Sequence, residues 1–415
     1  MGHRGLHEAW ILTVALAAVW AVPASIAAGP TFRTGLMLVG QVFPAECPVP
    51  GWLDKEPGFY YVLIPTDTDR LALTEEQSKR YVRQYFPRTK SELFSKYRFV
   101  VMPDAHIKPF TGKQISWLVE AFKEQGVSQL VTLGADLTGN YEAEWLASPL
   151  QKLLPTDMRR QSRLSGGFTV KILRDDPPIL SMFKKFGIEN CPGSSPFSKN
   201  SPRDGSIIWG EARFFTGQRA PWLISWKLGS EGGHIWAVSD DLDHRWWSPG
   251  GLTSESTNPY AGDVFLNIVY YSIGRRLPED IELVHTLRTR FELYLTKRGL
   301  ITGVLELADR FGANTVKVEK ELGGLEETFR EAQDEYAMGN YQEAMTRLDQ
   351  AMNQAEAILE HAFRVKKSAM FHIYIIEWLT TMGVLLLSGS ILYSLMIRRR
   401  VYKEVASTRF MRPEE

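Results

Sequence analysis

The densest group of residues able to do chemistry is Ser239-Asp240-Asp241-Leu242-Asp243-His244-Arg245-Trp246-Trp247. Asp240, Asp241, Asp243 and His244 put three carboxylates and an imidazole within five residues. Such a set could grip a divalent cation or act as an acid/base pair. Trp246 offers an aromatic face for the C–H groups of a sugar. Two smaller groups accompany it, Asp104 with His106 and Asp136 in Gly134-Ala135-Asp136. Ligand contact is expected at Asp240, Asp241, Asp243, His244, Trp246 and Asp136, and any catalytic role falls to Asp240 and His244 with Asp104 and His106. The plain alternative is that strand-end Asp and His fix loops or cap helices, and that a carboxylate run is simply solvated. No phosphate-binding glycine loop, Gly-x-Ser-x-Gly elbow or His-Glu-x-x-His occurs, so neither a cofactor nor a metal is expected.

Each group follows a predicted strand. Phe99 to Met102 is a short apolar run ending at Pro103-Asp104. Ile115, Leu118, Val119 and Phe122 then recur at helical spacing, Gly126 stops the helix, and Leu130 to Leu133 starts the next strand. Strand, helix and strand in so short a stretch make a βαβ unit, hence a parallel sheet. Further strands are predicted at Tyr60 to Ile64, Phe168 to Leu173, Trp222 to Trp226 and His234 to Val238, and helices at Thr74 to Tyr85 and Ala261 to Ile273. Residues 156 to 220, rich in Gly, Pro, Ser and Arg, read as long loops. The expectation is an α/β domain with an open, mostly parallel sheet, and ligands of such sheets bind beyond the carboxyl ends of the strands.

The two ends of the chain set the expected location. Residues 1–28 carry a short n-region, the apolar run from Trp10 to Ala28 and the small residues Ser25 and Ala27, as in a signal peptide. Trp378 to Ile397 holds no charge and is followed by Arg398-Arg399-Arg400, which predicts a membrane span with a cytoplasmic C-terminus. Residues 29–277 would form the α/β domain, 278–367 a helical hairpin stalk, 371–397 the transmembrane helix and 398–415 a basic cytoplasmic tail. In the stalk Gly323-Gly324 suggests a break. Gly339-Asn340 suggests a turn, flanked by Ala332, Tyr336, Tyr341 and Ala344 in the manner of one tetratricopeptide unit. Ala344, Leu348, Ala351, Ala355 and Leu359 carry the pattern on, predicting one helix that runs unbroken into the membrane. Partners expected are the lipid bilayer, a protein bound through the stalk, and a small molecule or glycan. A net charge of zero gives no footprint for nucleic acid. The two cysteines, Cys47 and Cys191, could pair outside the cytoplasm, closing a loop worth about 5 kcal/mol in the chain-entropy model.

YRFVVMPDAHIKPFTGKQISWLVEAF, QLVTLGADLTG, EWLASPLQKLLP, GGHIWAVSDDLDHRWW and AGDVFLNIVYYSIG together resemble the glutamine amidotransferase-like domain family, a branch of the class I amidotransferase fold, over roughly residues 90 to 275. The resemblance implies a flavodoxin-like or amidotransferase-like sheet and places Asp240, His244 and Trp246 on the family's Asp and His-Trp positions, with Arg245 interrupting the pair. Glutamine amidotransferases attack with a cysteine at the sharp turn after a central strand. The equivalent turn here, Gly134-Ala135-Asp136, has neither cysteine nor serine, so glutamine hydrolysis is not expected. A non-catalytic binding domain is the leading expectation; an envelope carbohydrate or amide hydrolase using the Asp/His residues, or a structural scaffold, are the alternatives.

Overall fold

The computed structural model describes residues 33–43, 47–66, 73–132, 140–160, 162–194, 197–242, 245–247 and 258–409. The strands in chain order are β1 (Thr34–Gly40), β2 (Phe59–Pro65), β3 (Tyr97–Met102), β4 (Ser128–Thr132), β5 (Ser162–Leu164), β6 (Phe168–Ile172), β7 (Pro192–Gly193), β8 (Phe197–Lys199), β9 (Ile207–Phe214), β10 (Arg219–Lys227) and β11 (His234–Val238). The helices are α1 (Val49–Asp54), α2 (Glu75–Tyr85), α3 (Lys90–Lys96), α4 (Gly112–Glu124), α5 (Asn140–Ala147), α6 (Ala261–Ser272), α7 (Ile281–Arg310), α8 (Val316–Ala337) and α9 (Tyr341–Arg409).

One mixed sheet runs β2-β1-β3-β4-β11-β10-β9-β6-β7. The block from β2 to β11 is parallel, and β10, β9, β6 and β7 extend it antiparallel. Side chains alternate between two apolar layers, as the two-residue period of a strand requires. Leu36, Phe99, Val101, Leu130, Trp236 and Val238 join the core under α1 and α6. Met37, Val100, Met102, Val131, Ile235 and Ala237 join the core under α4. Helix α4 starts at a capping box in which Thr111 and Gln114 each accept the other's backbone N–H. The expected βαβ unit is present: β3 and β4 are parallel neighbours joined by α4. The stretch 156–220 is not loop alone, since it holds β5 to β9. In β9 the apolar alternation is broken at Gly210, where a Cβ would lie 2.8 Å from the Trp222 ring, so close packing rather than a turn explains the glycine. Cys47 is buried and Cys191 half-buried, and each keeps its thiol.

Beyond the sheet, where two or three long amphipathic helices are expected to form the hairpin stalk, there are three: α7, α8 and the first half of α9 pack as a bundle. Gly339 at φ +84° makes the tight turn between α8 and α9. Helix α8 runs unbroken through Gly323-Gly324, contrary to the expected break. On α9 the residues Ala344, Leu348, Ala351, Ala355, Ile358 and Ala362 are buried. Their spacing of four and three is a heptad seam, and the small alanines let the neighbouring helices approach closely. Ile358 takes the seam position and Leu359 is only half-buried. Tyr294 stacks on Phe329 with ring centroids 3.8 Å apart, tying α7 to α8. Helix α9 then continues into the apolar segment as one helix of 69 residues, long and apolar enough to cross a membrane. Its side chains between residues 371 and 397 are almost all exposed. Seventeen large apolar side chains left in water at about 2 kcal/mol each would outweigh the stability of a typical domain, which is the physical case for lipid around them.

The bundle is bolted to the α/β domain by a buried charge network. Arg288 of α7 donates from Nε and Nη2 to Glu56 Oε2, both at 2.9 Å, and from Nη1 to Asp263 Oδ1 of α6 at 2.5 Å. Tyr336 of α8 donates its hydroxyl to the same Glu56 oxygen at 2.7 Å, and Gly58 N–H donates to Glu56 Oε1 at 3.1 Å. His285 Nδ1 lies 2.6 Å from Asp263 Oδ2. The side chains of Arg288, Glu56 and Asp263 are only 5%, 0% and 5% exposed. Burial alone would raise the Asp263 carboxyl, but His285 and Arg288 outweigh it and hold it below the ordinary carboxylate value. Removing one member leaves an uncompensated buried charge. Glu56→Ala should therefore destabilise the protein by about 3–5 kcal/mol in urea unfolding, and a loss under about 1 kcal/mol would contradict this account of the junction.

Candidate functional site

The parallel strands bring their carboxyl ends to one edge. The pairings Met102↔Val131 and Val238↔Thr132 set the ends of β3, β4 and β11 level. Asp104 follows β3 by two residues and Asp240 follows β11 by two, so these two expected groups share that edge. Asp136, Asp243 and His244 lie outside the described residues.

At the end of β3, Asp104 takes φ +43°, a left-handed conformation that Asp tolerates better than most residues. A reciprocal pair holds it there. Its N–H donates to Thr132 Oγ1 at 2.9 Å, and the Thr132 hydroxyl donates to Asp104 Oδ1 at 2.9 Å. The bonds tie the exit of β3 to the exit of β4 and leave Asp104 half-buried.

His106 faces inward. Its Nδ1 lies 3.3 Å from Glu144 Oε1 of α5, while Glu144 Oε2 accepts the N–H groups of Ile107 at 2.9 Å and Lys108 at 3.2 Å. Trp145 Nε1 donates to Ala105 O at 2.9 Å. Helix α5 thus clamps the loop after β3 by two adjacent side chains. Burial, the largest influence on Glu144, would raise its carboxyl; the contacts from His106, Lys108 and Ile107 outweigh it and hold the group below its ordinary value. Glu144 was not singled out from sequence, although its stretch was, because nothing local marks a glutamate whose partners are 36 to 38 residues away.

The segment after β11 is covered. Ser198 N–H donates to Ser239 O at 2.8 Å, and Phe197 of β8 bridges to Asp240. Asn200 Nδ2 donates to Ser239 Oγ at 2.8 Å, and that hydroxyl donates to Pro221 O at 2.8 Å. Asp240 and Asp241 are buried, and Asp240 Oδ1 accepts the Asp241 N–H at 2.9 Å. Trp246 does not offer the open sugar face expected of it. Its ring is buried edge-on against Trp222 at 4.5 Å between centroids, and its Nε1 donates to Ile188 O at 3.1 Å. Trp247 stacks on the same Trp222. These tryptophans anchor the chain to the core rather than line a cleft.

The described part of this edge is therefore rich in hydrogen-bond acceptors and held by its own contacts. Among the described residues no group of three or more His, Cys, Asp or Glu side chains is arranged to hold a metal ion. No family model matches the chain, and no curated protein matches it significantly.

The Glu144 clamp has a pH signature. Its folded pKa is depressed, so its stabilising effect is present above the unfolded value of about 4.3 and is lost as pH falls through the lower folded value. Glu144→Gln should be less stable than the parent at pH 7, and the gap should close in acid when Tm is followed by circular dichroism. A gap that stays constant down to about pH 3 would show that the carboxylate contributes nothing through its charge.

Proposed function

We propose that the chain is a single-pass membrane protein whose amidotransferase-like α/β domain is held outside the cytoplasm as a non-catalytic binding module within a membrane or envelope complex. The observation that carries the reading is mechanical. A domain joined through buried ion pairs to a bundle, whose third helix continues as a membrane-length apolar helix, is built to hold a binding surface at a fixed height. At 1.5 Å per residue the stretch from Tyr341 to Ser368 is about 40 Å of spacer. The arginine triplet after Ile397 supports a cytoplasmic C-terminus, and residues 1–28 support export of the domain.

The missing nucleophile at Gly134-Ala135-Asp136 supports binding rather than glutamine hydrolysis. The ligand would be a small molecule, a glycan or a protein, met beyond the ends of β3, β4 and β11 at the half-buried Asp104, with Asp136, Asp243 and His244 the remaining sequence candidates, while Asp240 and Asp241 are buried and support the edge from within. An Asp/His hydrolase draws less support, because His106 and Asp240 are both buried and general acid/base work needs them within reach of substrate.

Two measurements test the reading. Protease added to intact cells should digest the α/β domain and spare a C-terminal tag; a digested tag with an intact domain would reverse the topology. The purified full-length protein should gain thermal stability with at least one member of a panel of envelope sugars and metabolites, or co-purify with a stoichiometric membrane partner. Neither shift nor partner would sink the binding role.

A further inference from the structure

The cross-helix ion pairs fix how the bundle meets the apolar segment. Arg290 pairs with Asp349 and Lys297 with Glu356, so α7 runs alongside α9 with a constant offset of 59 residues. His361 Nδ1 lies 2.8 Å from Glu321 Oε2, which sets the antiparallel register of α8. By both registers the connection from Phe311 to Thr315 is level with the stretch of α9 just before Phe371, where the predicted span begins, its uncharged core starting after Glu377 at Trp378. This end of the bundle is apolar and open: Phe311 is 37% exposed, Val316 69%, Phe363 45% and Phe371 62%. Lys317, Arg364, Lys366 and Lys367 stand at the same level.

Between α8 and α9 at this end lies a groove of about 860 Å³. Leu325, Ala357, Ile358 and Val365 make its floor, and Lys317 and Arg364 stand beside it. The one carboxylate in it, Glu321, is taken by His361. Among the described residues, Lys317 and Arg364 have no ion-pair partner. Gly324 lines the groove and Gly323 precedes it, both inside a helix, where each costs about 0.5–1 kcal/mol relative to alanine. Packing does not require them, because a Cβ at either would meet nothing within 4 Å. Gly324, a helix-interior glycine that no neighbour demands, keeps one wall of the groove bare.

We infer that this groove binds the headgroup of an anionic phospholipid from the leaflet on which the bundle stands, its phosphate held between Lys317 and Arg364. The inference rests on the reading that α9 spans a membrane. From Phe371 to Ile397 is 27 residues, about 40 Å, matching a bilayer with its headgroup layers. The two cations, one or two turns before Phe371, are within reach of that layer through their long side chains. A phosphate monoester or diester is the shared chemistry, and the lipid is favoured over free phosphate because the floor is apolar and the exposed rim is continuous with the membrane segment.

The test uses the full chain in nanodiscs of neutral phosphatidylcholine or of phosphatidylcholine with phosphatidylglycerol. Tm should rise by several degrees with phosphatidylglycerol, and native mass spectrometry should retain the anionic lipid on the protein. Lys317→Gln/Arg364→Gln should abolish both effects, whereas Lys366→Gln/Lys367→Gln, outside the groove, should keep most of them. Gly324→Leu should lose the lipid effects by filling the groove while leaving Tm in neutral discs unchanged or higher, which separates loss of binding from loss of folding. An equal Tm in both discs, or full lipid retention by Lys317→Gln/Arg364→Gln, overturns the inference alone. So does inorganic phosphate reproducing the whole shift in neutral discs. A protein that fails to enter discs overturns the membrane reading with it.

Discussion

Arg288 carries its charge into a place that water scarcely reaches, and the desolvation cost is offset only while Glu56 and Asp263 both face it. Those partners come from opposite ends of the α/β domain, one just after α1 and one on α6, and Tyr336 closes the group from α8. Each element is placed by the others. A guanidinium is suited to this because its planar fork donates in several fixed directions at once, whereas an ammonium would act as a single point charge. A set of apolar side chains could fill the same volume with equal stability. What the charges add is directional, since hydrogen bonds to fixed carboxylates fix the angle of α7 as well as its distance. Burial drives the Tyr336 and Tyr270 hydroxyls well above their ordinary pKa, so both stay protonated; Tyr336 donates to Glu56, the Tyr270 oxygen accepts from Arg288 Nη2 at 3.4 Å, and the Tyr270 ring lies 5.7 Å from the guanidinium as a cation–π partner.

From that junction the rest of the architecture follows. Helix α7 leaves the domain in a set direction, α8 returns to it, and α9 departs beside both along a heptad seam of small residues. Because α9 has no break between the bundle and the apolar segment, any tilt of that segment is passed to the α/β domain as a lever arm. The carboxyl-end edge of the sheet, with the Asp104–Thr132 pair and the Glu144 clamp, is fixed to the same frame. That edge is thereby held at a fixed height and orientation relative to the start of the apolar segment.

Much of the α/β layer was legible from sequence, and the reasons differ by element. Strands β3, β4 and β11 and helix α4 announced themselves because both faces of the parallel block are buried, giving short continuous apolar runs bounded by Pro103 and Gly126. Strand β9 stayed hidden because Gly210 and Glu211 interrupt its alternation, although Trp209 and Trp222 bury it. The bundle's long helices, two or three by their period, were readable, but which of them pack together was not, since packing of α7 against α9 is a matter of pairs 59 residues apart. Gly323-Gly324 looked like a break because local propensity penalises glycine, and tertiary packing on both sides of the pair overrode it. At the site, the rule that ligands gather beyond strand ends selected the edge that Asp104 and Asp240 share. It could not tell an open carboxylate from one covered by β8, nor a platform tryptophan from the buried Trp246.

The central claim is that the buried charge network holds the α/β domain and the bundle as one body. The direct test is the distance distribution between spin labels on Lys113→Cys of α4 and Lys320→Cys of α8, in a Cys47→Ala/Cys191→Ser background and measured by pulsed electron resonance on the full chain. The account predicts a single narrow population in detergent and in lipid alike. A broad or multiple distribution would mean that the domain swings on its stalk, and the rigid-arm account would be wrong.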